Sequence, residues 1–116
     1  MVDFSNKIIG PIKSVTLSDE IDTALAEKGR MVFNTMCIAC HKIDRKFIGP
    51  QVKGVAKLRA PEWIMNIIMN PEEMIQKDPI AQQLLLESNM AVMANQNIKE
   101  DEARALLEYF RQIDQE

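Results

Sequence analysis

Residues 37–41 read Cys37-Ile38-Ala39-Cys40-His41, and they hold both cysteines and the sole histidine of the 116-residue chain. A Cys-x-x-Cys pair serves three chemistries: a thioredoxin-like dithiol, half of a zinc site, or the two thioether attachment points of a c-type haem. The rest of the sequence arbitrates between them. A structural zinc ion takes four ligands, and only three Cys or His candidates exist, all within five residues, so a closed site would have to recruit carboxylates. A redox dithiol opens a helix that follows a strand, whereas the residues before Cys37 read as helix and no strand pattern stands nearby. Haem attachment needs only what is here: two sulfurs to add to vinyl groups, and an imidazole directly behind them to bind iron. It is the best physical fit, with two buried thiols beside a surface histidine as the bland alternative.

The composition around this stretch narrows the class. The chain is 47% hydrophobic and 27% charged with a net charge of −3, which suits one soluble domain. Aromatic residues make up only 5%, and Gly and Pro together occupy nine positions, so a sandwich of many short strands is disfavoured. No run approaches the roughly 18 apolar residues of a membrane-spanning helix. The acidic balance gives no footprint for nucleic acid, which is excluded as a partner. The expected fold is all-α.

Working outward from the motif, Ile21, Leu25, Val32 and Met36 recur near helical spacing, and Ser18 with Asp19 and Glu20 offers a cap and acidic first turn. This predicts a first helix from about Ser18 to Asn34. Residues 1–16, with a Gly10-Pro11 break, read as an extended N-terminal arm or tether, leaving 17–116 as the folded domain. Lys42–Arg59 reads as a wrapping loop. Pro61 opens a short helix with Trp63, Ile64, Ile67 and Ile68, which Asn70-Pro71 ends; Asp78-Pro79 starts another over Ile80–Glu87. Residues 88–98 read as an Asn-rich loop, and Glu100-Asp101-Glu102 opens a last helix buried through Ala103, Leu106, Leu107, Phe110 and Ile113. Four to five helices are expected.

In that order the elements resemble a bacterial class I cytochrome c, across residues 24–113. Gly29, Phe33 and Cys37 resemble the family's first helix entering the attachment motif, where the glycine lets the last helix cross closely. Gly49-Pro50 resembles the family's Gly-Pro, whose proline carbonyl accepts a hydrogen bond from the ligating imidazole. Trp63 stands where relatives carry an aromatic that packs on the haem or bonds a propionate. The resemblance implies one haem c per chain, bonded to Cys37 and Cys40, with His41 and a methionine as axial ligands. Of eight methionines, Met93 stands in the family's register before the last helix, and Met90 is the reserve. Ala94 replaces the family's usual proline after that methionine, and Lys99 its usual Ser or Thr at the helix start.

What the resemblance implies is one-electron transfer between redox partner proteins, with no catalytic residues; thioether sulfur would favour ferrous iron over a two-imidazole arrangement. The alternative is a haem module with open or weakly capped iron, acting as a gas sensor or peroxidase. Lys42, Arg45, Lys46, Lys53, Lys57 and Arg59 stand against Asp44 alone, a local charge of +5 that suits an acidic partner. Haem attachment outside the cytoplasmic membrane implies a periplasmic location. Residues 1–15 do not read as a secretory signal, so the expectation is that a leader or anchor has been replaced or that this is the haem domain of a larger oxidoreductase.

Overall fold

Asp22 starts the helix that leads into the motif: its Oδ1 accepts the Leu25 N–H at 3.0 Å, and α1 then runs over Thr23–Met36. In the computed structural model, which describes residues 9–115, Ser18 does not cap this helix as predicted. Its carbonyl accepts from Arg111 Nη2 at 2.6 Å, so residues 17–21 are held against the last helix instead of joining the first. The remaining helices are α2 (Val55–Leu58), α3 (Pro61–Met69), α4 (Pro71–Lys77), α5 (Pro79–Glu87) and α6 (Glu100–Gln115).

Among the described residues six helices stand where four or five were expected, because two were missed. α2 is a single turn, too short to show a period. Its N-terminus is capped from far along the chain: Asp114 accepts from the Gly54 and Ala56 N–H groups at 2.6 and 2.9 Å. α4 was hidden behind Pro71, read only as a stop for α3. Proline has no N–H to lose and suits a first helical position, so Pro61, Pro71 and Pro79 each begin a helix, and the chain turns corners at Ala60, Asn70 and Asp78.

The crossing of α1 and α6 is the frame. Gly29, buried on α1, faces Ala105 on α6 so closely that a Cβ at Gly29 would lie 2.0 Å from the Ala105 carbonyl oxygen. Ala26, Ala103 and Ala105 are buried on the two facing helices, and Phe33 packs edge-on to Phe110 with ring centroids 6.2 Å apart. Glu108, buried on α6, ties the crossing to the chain entering α1: it accepts the Asp22 N–H at 2.7 Å and contacts Arg104 and Arg111 at 2.8 and 2.9 Å. Burial alone would raise its carboxyl; the Asp22 N–H and the two guanidiniums outweigh that and hold it below 4.5.

α6 opens with half of a capping box. Glu102 accepts the Lys99 N–H at 3.0 Å, and the reciprocal bond is lacking because Lys99 carries no acceptor. Of the segment read as an arm, residues 1–8 lie outside the described residues. Beyond them, Ile12 is buried against α3, its N–H and carbonyl both bonded by the Asn66 side chain at 2.9 Å, and the Val15 N–H donates to Glu62 at 2.8 Å.

Candidate functional site

The motif continues directly from α1. Cys37 caps the helix, and its carbonyl accepts the Cys40 and His41 N–H groups at 3.2 and 3.0 Å, so the two sulfurs and the imidazole are carried on one tight turn. That turn borders an apolar cleft that is partly open to solvent. α1, α3, α5, α6 and the loops after α1 and α5 all contribute to its walls. Cys37 is half-buried and Cys40 exposed, and the thiols are unbridged. Burial, with a smaller contribution from Cys40, pushes the Cys37 thiol up to about 11.

On the motif side the imidazole is locked. His41 Nδ1 lies 2.9 Å from the Pro50 carbonyl, and since a carbonyl only accepts, Nδ1 is the donor, which in the neutral ring leaves Nε2 with its lone pair. Gly49 makes this fit geometrically. A Cβ there would meet His41 Cε1 at 2.6 Å, so only glycine lets the backbone pass the ring this closely. The Gly49 N–H in turn donates to the Cys40 carbonyl at 2.7 Å, closing the loop onto the motif.

On the other side stands the loop between α5 and α6. It brings Met93 to the cleft, packed against the core, whereas Met90 is 58% exposed and does not line it. Asn89, Met90 and Asn97 all have positive φ, bending the loop at both ends. Side chains moor it: Gln96 donates to the Met36 carbonyl at the end of α1, and Asn95 to Glu72 at 2.8 Å. The structure therefore gathers Cys37, Cys40, His41 and Met93 around one cavity and leaves Met90 outside.

Trp63 also lines the cleft, but its indole N–H is turned away. It donates to Asp78 at 2.8 Å, the same carboxylate oxygen that caps α5 through the Ala81 N–H at 2.8 Å. A buried aspartate thus fixes both the tryptophan ring and the start of α5, and it takes the hydrogen bond that could have gone to a propionate. The Asp78-Pro79 pair signalled the cap; nothing local signalled the tryptophan. Among the described residues no cluster of three His, Cys, Asp or Glu side chains is placed to hold a metal ion.

A family model for cytochrome c matches residues 26–114, and the cytochrome c from Rhodothermus marinus superposes with a TM-score of 0.88 at 46% identity, over 91% of this chain and 90% of that one. The chain belongs to the bacterial class I cytochromes c. An engineered cytochrome c from Rhodothermus marinus, bound to a carbene intermediate, is likewise 46% identical with a TM-score of 0.85, over 92% of each chain. Cytochrome c-551 of Stutzerimonas stutzeri is 36% identical over 55 residues, which span 47% of this chain and 53% of that relative. The cofactor of this class I cytochrome c is covalently attached haem c with its iron. The residues present fit that group: an apolar cleft bordered by two cysteine sulfurs, an imidazole with a free Nε2, and a thioether side chain.

Proposed function

We propose that this class I cytochrome c is an electron carrier or relay with one haem bonded to Cys37 and Cys40, and with His41 Nε2 and Met93 Sδ as axial ligands. When bound, that group supplies reversible one-electron transfer. The observation that carries the reading is that His41, locked through Nδ1, and Met93 line the same cleft. The Pro50 carbonyl increases the basicity of the imidazole toward iron. Met93 offers a soft neutral sulfur that favours the ferrous state. With His41 and Met93 both holding the iron, no substrate atom would reach it, so these residues would hold and insulate the redox centre without making or breaking a bond.

The proposed partners are redox proteins with an acidic docking face. The loop after the motif carries the cationic surplus and also presents Phe47 and Ile48 to solvent, with the Lys42 ammonium 4.8 Å over the Phe47 ring. Apolar contact ringed by positive charge suits brief, steered encounters. The proposed location is the periplasm or another space outside the cytoplasmic membrane; among the described residues no helix is long and apolar enough to cross a membrane.

The test is Met93→Ala in protein matured in a haem-attaching host. Intact mass first establishes one covalent haem in both proteins. The parent should then show the weak sulfur-to-iron absorption band of the oxidised state and the variant should lose it, gain affinity for added imidazole, and fall in reduction potential. An unchanged oxidised spectrum rejects Met93 as the ligand and returns the open-iron reading.

A further inference from the structure

Ser88 ends α5, and its backbone is fully occupied. Its N–H donates to the Leu84 and Leu85 carbonyls at 3.0 and 3.2 Å, and its carbonyl accepts the Ala91 N–H at 3.0 Å. Its hydroxyl has no such partner. Ser88 is 6% exposed, and among the described residues its Oγ is the buried side-chain polar atom that no hydrogen bond satisfies. A buried hydroxyl left in this state is disfavoured, and native structures rarely keep one without a ligand, water or ion to answer it. Serine near a helix end commonly bonds the carbonyl four residues back. Thr35 does so to the Met31 carbonyl at 2.9 Å, whereas the Ser88 hydroxyl makes no such bond, and Ser88 forms part of the cleft wall.

We propose that the Ser88 hydroxyl donates a hydrogen bond to a carboxylate of the bound haem, making Ser88 a positioning residue for that end of the cofactor. The inference rests on the haem reading above. The wall around Ser88 is apolar, contributed by Leu84, Leu85, Ala91 and Val92. A porphyrin rim is hydrocarbon apart from its two carboxylates, and its iron is already assigned to His41 and Met93, so a carboxylate is the acceptor left for a hydroxyl in this wall. The charge at this corner agrees. The Lys46 ammonium, reaching over from the loop after the motif, donates to the carbonyl of Glu87, the residue next to Ser88. The Glu87 carboxylate is exposed and bonded to Gln83 at 3.0 Å. A cation is thus bonded to the backbone immediately before Ser88, on the side from which an anion could be balanced.

A hydrogen bond to that carboxylate withdraws negative charge from the macrocycle and so favours the reduced state. Haem-loaded parent, Ser88→Ala and Ser88→Thr proteins provide the test, each shown by intact mass to carry its cofactor. In the reduced, diamagnetic state the parent should show through-space NMR contacts between the Ser88 β protons and the propionate methylene protons. Ser88→Ala should have a lower reduction potential than the parent, and Ser88→Thr, which keeps the hydroxyl, should return toward it. An absence of contacts to the propionate protons, or equal potentials in the parent and Ser88→Ala, overturns the proposal while leaving the haem reading intact. A chain that matures without haem overturns both and is recognised from the mass alone.

Discussion

The two sides of the cleft are built differently. On the motif side, His41 rides on the end of a long helix, its ring boxed by the Gly49 backbone and bonded to the Pro50 carbonyl, and that helix is pressed against α6 at Gly29. On the methionine side, Met93 hangs in a loop with three left-handed residues, flanked by Val92 at 65% exposure and Met90, and moored to the body through Asn95 and Gln96. One proposed ligand is positioned by backbone packing, which is steep and unforgiving; the other by a few side-chain hydrogen bonds, each worth about 1 kcal/mol. The sulfur side should therefore yield first when the molecule is stressed, with the imidazole still in place.

Substitutions can break that contrast at graded levels. Gly29→Ala attacks the frame beneath the motif side: with 2.0 Å to the Ala105 oxygen the helices must separate, and a loss of about 3 kcal/mol is expected in denaturant unfolding of the haem-loaded protein. Gly49→Ala attacks the imidazole box. The added methyl displaces the ring and weakens the Nδ1 bond to Pro50, making the imidazole a poorer donor, raising the reduction potential and costing about 2 kcal/mol; nitrogen chemical shifts of His41 report the lost bond directly. Gln96→Ala releases one mooring of the loop at about 1 kcal/mol, so added imidazole should displace Met93 roughly fivefold faster with global stability nearly unchanged. Equal sensitivity of the two sides to these last two changes would erase the distinction. The smallest effect belongs to the surface: neutralising Lys42, Lys46 and Lys57 together should slow association with an acidic redox partner at low salt and little at high salt, with the unfolding midpoint held.

The same contrast explains what could be read before any coordinates. Cys37, Cys40, His41, Gly49 and Pro50 are close in the chain, so their chemistry is written in spacing, and α1, α3, α5 and α6 carry apolar periods or acidic first turns. The family resemblance singled out Met93 by its register before the acidic turn at Glu100, and the structure brings Met93 to the cleft wall and leaves Met90 exposed outside it. What escaped is the set of contacts made by distant residues. Asp114 caps a helix sixty residues away, Asp78 takes the Trp63 N–H, and Arg111 holds the Ser18 carbonyl and displaces the start of α1 to Asp22. None of these leaves a local pattern. The α4 helix was hidden for a different reason: proline marks both the end of one helix and the first turn of the next, and at Pro71 both roles are at work while only the first was read.

The order of events during maturation follows from where Gly29 meets Ala105. The stretch bearing both sulfurs leaves a ribosome or a translocation channel some sixty residues ahead of the helix that clamps it. In that interval the thiols are open to whatever enzyme delivers the cofactor; after closure Cys37 is half-hidden and reluctant to ionise. Cofactor attachment should thus be faster before the final helix docks than after it, Cys37 being the sulfur that docking hides.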